Sequence, residues 1–311
     1  MSPVLAWPAR LLVLAALATF LAGSLPGLHR LIVGDACAAT RRPAPPQDMA
    51  YIFKVIASLS AKPPTVPVVY LLGGSAAREC TISDKSWKLQ VHRVGRTRVR
   101  TVNFGSNGQT YAQDFVIVNK LPALPSIVLI GVGLGRYMQL PSEGATPSGG
   151  QSTTRLGPRP DTRLAGPSYS QHHYSASNML TDAQKRAYVR WWLTQRYQIF
   201  KEYSKGNMAD LGRLITMCQT RGLHPVLLEL PINLPIVGHA FDKPRRAYRD
   251  NCRALAKKYG IPNIDFVRKA HLVSRDFADL FHLIQPGRVK WQLRLSKTVV
   301  SLLARYGMDS H

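Results

Sequence analysis

Ser75 follows an apolar run and a pair of glycines, Gly73 and Gly74. The run, residues 67–72, is rich in branched and aromatic side chains and predicts a buried strand that ends at the glycine turn. A serine just past the carboxyl end of such a strand lies where open α/β sheets bind ligands. Its hydroxyl can attack an acyl carbonyl once a neighbouring base removes the proton. On its own, the Gly-Gly-Ser sequence is more often an ordinary turn.

Asp279 and His282 stand three positions apart in the last part of the chain. On one helical turn, positions i and i+3 point the same way, so the carboxylate can reach the imidazole. A carboxylate in that place fixes the histidine tautomer and stabilises the imidazolium that forms during proton transfer. A surface turn with a capping aspartate and a solvent-facing histidine would show the same spacing.

A glycine-rich segment, residues 103–110 (NFGSNGQT), follows an alternating run at residues 97–103. Gly105 and Gly108 permit a tight loop whose backbone N–H groups can point at an anion. A loop that needs glycine only for its dihedral angles would have the same sequence. Each of the three motifs alone is weak evidence for a catalytic site. Their occurrence together and in this order is stronger evidence.

Together, the three motifs resemble those of the SGNH (GDSL-like) hydrolase superfamily over about residues 65–305, and its cell-envelope members in particular. The resemblance implies a flavodoxin-like, three-layer α/β/α sandwich. It also implies that Ser75 is the nucleophile, that His282 takes its proton and that Asp279 orients His282. The N–H groups of Ser75 and Gly105 would form part of the oxyanion hole. No cofactor and no metal ion are expected.

One departure from the family pattern concerns its third motif, Gly-x-Asn, in which the asparagine side chain donates to the oxyanion. Here the predicted strand at residues 126–130 (SIVLI) is followed by Gly131, and Gly133 stands where the asparagine would be. Losing one such donor typically costs about 10²–10³ in rate. Either Asn107 or Arg136 replaces it, or the chain is a catalytically degenerate member.

The rest of the sequence predicts the elements that must position these residues. Short β-rich apolar runs indicate five strands, at residues 67–72, 97–103, 126–130, 224–230 and 262–267. Because segments of helix length separate them, we predict a mainly parallel sheet of about five strands with helices on both faces.

Helices are predicted from capping residues and apolar stripes in the second half of the chain. They are expected at residues 181–204, 207–222 and 242–260 and after Pro286, with Asn207 as the N-cap of the second.

Two of the four cysteines, Cys218 and Cys252, fall on the expected core faces of these helices. Their placement permits a disulfide between them without requiring one. No CxxC pair occurs in the sequence, so a structural zinc site is not predicted.

The domain organisation follows from composition. An apolar run at residues 11–25 leads us to predict that residues 1–38 are a secretory signal or an N-terminal membrane anchor, which implies an extracytoplasmic location. Residues 39–64 are predicted to be a linker and residues 65–311 the SGNH-like domain. Within that domain, residues 139–180 are rich in Ser, Gly, Pro and Thr and predict an insertion, either a functional lid or a disordered excursion.

The charge of the chain is strongly positive: 41 Lys and Arg residues against 17 Asp and Glu residues, a net charge of +24. Such a field attracts polyanions. The basic stretch at residues 85–100 would hold an anionic substrate if it lay beside Ser75, or would simply be a solvated helix face. Nucleic acid is not an expected partner, because the export segment argues against it and no base-reading motif occurs.

The sequence therefore predicts a serine-dependent ester hydrolase, whether an esterase, a deacetylase or an acyltransferase. Its expected partner is an ester-bearing carbohydrate or lipid of the cell envelope, with an anionic wall polymer and membrane anchoring as further expectations. The alternative is a degenerate SGNH-fold protein that binds anionic envelope polymers.

Overall fold

A computed structural model describes residues 46–141 and 172–309 of the chain. Five parallel strands form one sheet in the order β2-β1-β3-β4-β5. They are β1 (Val68–Leu72), β2 (Arg100–Asn103), β3 (Ser126–Val132), β4 (His224–Glu229) and β5 (Asn263–Ile264). The predicted α/β fold with a parallel sheet of about five strands is confirmed.

The helices occupy the connections between strands. They are α1 (Pro46–Ala61), α2 (Ser75–Arg78), α3 (Asp84–Gly95), α4 (Tyr111–Lys120), α5 (Asp182–Trp191), α6 (Tyr197–Thr220), α7 (Leu234–Val237), α8 (Asp242–Tyr259) and α9 (Gln285–Arg305). Helix α3 packs against α9, whereas α4, α6 and α8 pack successively against one another. The chain moves outward from β1 in one direction and from β3 in the other. Since crossovers between parallel strands are right-handed as a rule, we expect these two groups on opposite faces of the sheet.

This strand order creates a switch point between β1 and β3, and open α/β sheets bind ligands at the carboxyl ends of the strands on either side of such a point. Leu71 of β1 pairs with Asn103 of β2 and with Leu129 of β3, so the three strands end at nearly the same level. Every residue of β1 and β3 is buried, as expected for strands covered on both faces.

The predicted break between the helices at residues 181–204 and 207–222 is wrong. Helix α6 continues through this region, and a π-helical turn, Trp192–Arg196, joins it to α5. Asn207 is not an N-cap, because it lies in the middle of α6. Its side chain is buried, and its amide donates to the carbonyl oxygen of Gln139 at 2.7 Å. Asn207 thus makes a tertiary contact and does not begin a helix.

The predicted linker at residues 39–64 is also corrected, because most of it is helix α1. Ile52 and Ile56 of α1 are buried in the core, and Asp48 forms an ion pair with Arg78 at 3.2 Å. The i, i+4 spacing of the two isoleucines is typical of a helix with one buried face. The prolines just before α1 favoured a linker instead.

Several sequence predictions fall outside the described residues, namely those for residues 1–38 and for residues 142–171 of the predicted insertion. Within the described ranges, no helix has the length and apolar character needed to cross a bilayer. Cys218 and Cys252 are both buried free thiols, so the disulfide that their placement permitted is not formed.

Replacing Ile52 with alanine is expected to lower the free energy of unfolding by about 2–5 kcal/mol, since it removes buried apolar atoms and leaves a cavity. Urea unfolding of the purified protein measures this. Lys54→Ala, at an exposed position of the same helix, is the control and should change stability by less than about 0.5 kcal/mol. Equally small effects for both would show that α1 is not part of the core.

Candidate active site

Ser75 is the first residue of α2 and lies half-buried immediately beyond the turn that follows β1. That turn requires glycine at position 73. Gly73 has φ +152°, and a Cβ on it would lie 2.7 Å from Cβ of Ala77. The turn thereby directs the chain from the end of β1 straight into α2, with Ser75 at the edge of the sheet.

The structure brings the three predicted catalytic residues into one hydrogen-bonded chain. Oγ of Ser75 lies 2.7 Å from Nε2 of His282, and Nδ1 of His282 lies 2.7 Å from Oδ2 of Asp279. The other carboxylate oxygen of Asp279 accepts hydrogen bonds from the N–H groups of Phe281 and His282, at 2.8 and 2.9 Å. The hydroxyl, the imidazole and the carboxylate thus have the relative geometry that nucleophilic acyl transfer would need.

The surroundings of Asp279 favour its charged form. Burial raises the pKa of its carboxyl, but the nearby imidazole of His282 and the hydrogen bonds from His282 and Phe281 outweigh burial and hold the pKa below the usual range. An ionised Asp279 accepts the Nδ1–H of His282. Nε2 is then the nitrogen that can take the proton of Ser75.

A buried residue that the sequence analysis missed, Asn233, supports the loop that carries Asp279 and His282. Its N–H donates to the carbonyl of Leu280 at 2.9 Å, and its side-chain amide donates to the carbonyl of Asp279 at 3.1 Å. The loop is closed on itself by a bond from the Ala278 N–H to the His282 carbonyl, at 2.8 Å. A polar residue soon after a buried strand was the only signal in the sequence.

The prediction for Gly105 as an oxyanion donor is not supported by its hydrogen bonding. Its N–H donates to Oδ1 of the buried Asn103 at 2.9 Å. A Cβ on Gly105 would lie only 2.4 Å from the backbone nitrogen of Arg78, so glycine is needed here for close packing against α2. The sequence motif identified the need for glycine but not the direction of its N–H group.

Two other backbone donors belong to the turn after β1 and to the glycine-rich segment at residues 103–110. Within residues 46–141 and 172–309, the N–H groups of Ser75 and Gly108 have no hydrogen-bond acceptor. The loop that contains Gly108 is tied to the turn before Ser75, because the N–H of Ser106 donates to the carbonyl of Gly73 at 3.0 Å. Both groups are candidates for stabilising an oxyanion.

The two side chains suggested as replacement donors are differently placed. The guanidinium of Arg136 is buried; one terminal nitrogen donates to the Gln109 carbonyl at 2.5 Å and the other pairs with Asp114. Arg136 therefore binds the turn after β3 to α4. Asn107 is half-buried, and its backbone N–H donates to Asp48 at 3.3 Å.

The buried carboxylate of Glu79, whose backbone N–H donates to the carbonyl of Ser75 at 3.0 Å, was not found from the sequence. Glu79 follows α2 and its side chain has 0% exposure. It pairs with Arg288 of α9 and accepts hydrogen bonds from Nε of Arg78 at 3.4 Å and from the N–H of His173 at 3.0 Å. Nδ1 of His172 lies 3.1 Å away. Buried long-range ion pairs of this kind leave no local pattern in a sequence.

The pair His172-His173 contacts the carboxylate of Glu79. The second ring nitrogen of His172 lies 2.8 Å from the carbonyl oxygen of Ile82, and among the described residues no group of three or more His, Cys, Asp or Glu side chains could hold a metal ion. The next residue, Tyr174, stacks on the imidazole of His282, with ring centroids 4.0 Å apart.

The basic stretch at residues 85–100 forms most of α3 and the chain that leads into β2. Lys85, Lys88 and Arg93 are exposed. This exposure agrees with a solvated helix face, and the holding of an anionic substrate by the same stretch stays a prediction.

Comparison with known proteins gives weak similarities. No protein-family model and no curated protein matches the chain. A Bacillus subtilis protein of known structure is 13% identical with a TM-score of 0.41, over 80% of this chain and 59% of its own. A GDSL-like lipase from Bacteroides thetaiotaomicron is 12% identical with a TM-score of 0.40, over 81% and 98%. An α/β hydrolase from the metagenome of Lake Arreo, Spain, is 15% identical with a TM-score of 0.42, over 78% and 96%.

The present chain thus spans less than two thirds of the length of the Bacillus subtilis protein.

We expect Glu79→Gln to lower the free energy of unfolding at pH 7 by about 3–5 kcal/mol, because it leaves buried arginines without their counter-charge. Burial raises the pKa of Glu79, but hydrogen bonds from His172 and His173 and the charge of Arg288 lower it below its usual range. The stabilisation is therefore complete above the pKa of an unfolded glutamate and is lost as the pH falls through the lower folded value.

Urea unfolding between pH 7 and pH 3 tests this, with Asp250→Asn in an exposed ion pair as the control. The wild-type advantage over Glu79→Gln should shrink toward acid pH, whereas a difference that does not change with pH would contradict the ionic role of Glu79.

Proposed function

We propose that this chain is a serine-dependent ester hydrolase. The observation that carries the proposal is the unbroken hydrogen-bonded chain from Ser75 through His282 to Asp279, with 2.7 Å at both links. It lies at the carboxyl end of the parallel sheet, beside the switch point between β1 and β3. This position and geometry support nucleophilic attack on an acyl group.

The reaction follows from the placement of the groups. Oγ of Ser75 attacks the acyl carbonyl as Nε2 of His282 takes its proton, and the charge of Asp279 stabilises the imidazolium. The N–H groups of Ser75 and Gly108 donate to the oxyanion. Collapse of the tetrahedral intermediate releases an alkoxide that takes the proton from His282 and leaves an acyl-Ser75 ester. Water then completes hydrolysis, or a sugar hydroxyl completes acyl transfer.

The substrate class we propose is an ester of a cell-envelope carbohydrate or lipid, met on the extracytoplasmic side of the membrane. Two features of the sequence support this. The apolar run at residues 11–25 is typical of export or anchoring, and the net charge of +24 favours anionic envelope material.

Hydrolysis of p-nitrophenyl acetate by the purified protein tests the proposed chemistry. Ser75→Ala should abolish turnover, and Asp279→Asn should lower kcat by about 10⁴, because the imidazole then loses its correct tautomer. Ser60→Ala, an exposed serine on α1, is the matched control and should have wild-type activity. Turnover by Ser75→Ala at the wild-type rate would refute the proposal.

A gain of activity is expected from Gly133→Asn, which restores the side-chain donor of the family pattern. Gly133 has φ 177°, an extended conformation that any residue adopts, and the nearest atom to a Cβ there would be Cβ of Leu230 at 3.6 Å. We expect kcat to rise by up to about 10²-fold. Gly133→Ala, which adds a Cβ without a donor, should show no gain. If both variants have the same kcat, position 133 does not face the oxyanion.

A second candidate function is the binding of anionic envelope polymers without catalysis. It is favoured by the glycine at position 133 and by the engagement of the Gly105 N–H with Asn103. Binding of dextran sulfate that persists in Ser75→Ala and weakens steeply with salt, in a protein without esterase activity, would support this function.

A further inference from the structure

The imidazole of His282 is constrained on three sides. Its two nitrogens lie 2.7 Å from Ser75 and from Asp279. One face of the ring is covered by Tyr174, whose ring lies parallel to it at an interplanar angle of 4° and a centroid distance of 4.0 Å. Tyr174 belongs to neither α2 nor the loop that carries His282. Its position beside the imidazole therefore depends on contacts of its own segment.

Three hydrogen bonds secure it. The carbonyl oxygen of Tyr174 accepts a bond from the guanidinium of Arg288 at 2.6 Å. Just before it, the N–H of His173 donates to Glu79 at 3.0 Å. A few residues later, the N–H of Leu180 donates to the carbonyl of Ala278, at 2.8 Å, within the loop that carries the catalytic base.

The carboxylate of Glu79 connects these contacts to the nucleophile. Glu79 follows α2, which begins with Ser75, and it pairs with the same Arg288 that holds the carbonyl of Tyr174. A displacement of residues 172–174 therefore has to break bonds to a fully buried carboxylate, which is costly.

We propose that Tyr174 is a positioning residue for His282 and that Glu79 holds Tyr174 against the imidazole. This inference rests on the proposed esterase function. The parallel ring blocks rotation of the imidazole out of the line from Asp279 to Ser75. Its electron-rich face also stabilises the imidazolium that forms as Ser75 attacks.

The ring face and not the hydroxyl performs this role. The hydrogen bond that Arg288 makes to Tyr174 uses the backbone carbonyl, and the stacking contact uses the ring. Burial raises the pKa of the phenol above its usual value, so the ring remains neutral at working pH. Phenylalanine should therefore replace Tyr174, whereas an aliphatic residue of similar bulk should not.

The kinetic test compares Tyr174→Phe with Tyr174→Leu in p-nitrophenyl acetate hydrolysis. Tyr174→Phe should retain kcat within about twofold, and Tyr174→Leu should lower kcat by about tenfold with little change in KM, because the lost stabilisation applies to the imidazolium. Tyr259→Leu, at a half-buried tyrosine of α8, should leave kcat unchanged. Circular dichroism of each variant confirms folding.

A spectroscopic test does not depend on turnover. The carbon-bound ring protons of His282, assigned by comparison with His282→Gln, should resonate upfield in the wild type and in Tyr174→Phe because they lie over an aromatic face. In Tyr174→Leu this upfield shift should disappear.

The outcomes separate this inference from the function on which it rests. Wild-type kcat in Tyr174→Leu, or no upfield shift in the wild type, overturns the role of Tyr174 while an inactive Ser75→Ala keeps the esterase function. If the wild type itself has no turnover, the proposed function fails and the positioning role falls with it.

Discussion

The ion pair between the buried carboxylate of Glu79 and Arg288 is the interaction on which the site depends. A carboxylate removed from water is stable only when charged and hydrogen-bonding partners surround it. Those partners come from α2, from α9 and from residues 172–173, which are far apart in the sequence. Satisfying this one group brings together the helix of the nucleophile, the last helix and the segment that covers the base. Arg78 extends the cluster to α1 through Asp48.

The sheet supplies the second constraint. Ser75 and His282 are separated by 207 positions in the chain, and their contact requires that the segments after β1 and after β5 meet at one edge of the sheet. Parallel strands achieve this because all of them end at the same edge. The first connection turns outward from β1 and the next returns to β3, which leaves an opening above these two strands for a substrate.

Features that depend on neighbouring residues could be predicted from the sequence, whereas features that depend on distant residues could not. The strands were predictable because strands covered on both faces are continuous apolar runs, and Ser75, Asp279 and His282 stand in short local motifs. The direction of the Gly105 N–H was not predictable, since the buried side chain of Asn103 claims it. The position of Asn207 within a helix and the contacts of Glu79 depend on partners that are distant in the sequence. A single sequence does not indicate which distant residues pair.

The most direct test of the account is the location of a covalent fluorophosphonate adduct by peptide mass spectrometry of the intact chain after labelling. The account predicts one adduct, on Ser75, which is absent from Ser75→Ala and forms far more slowly in His282→Gln because the base is missing. An unlabelled wild type, or an adduct on a different serine, would contradict the assignment of Ser75, His282 and Asp279 as the catalytic residues.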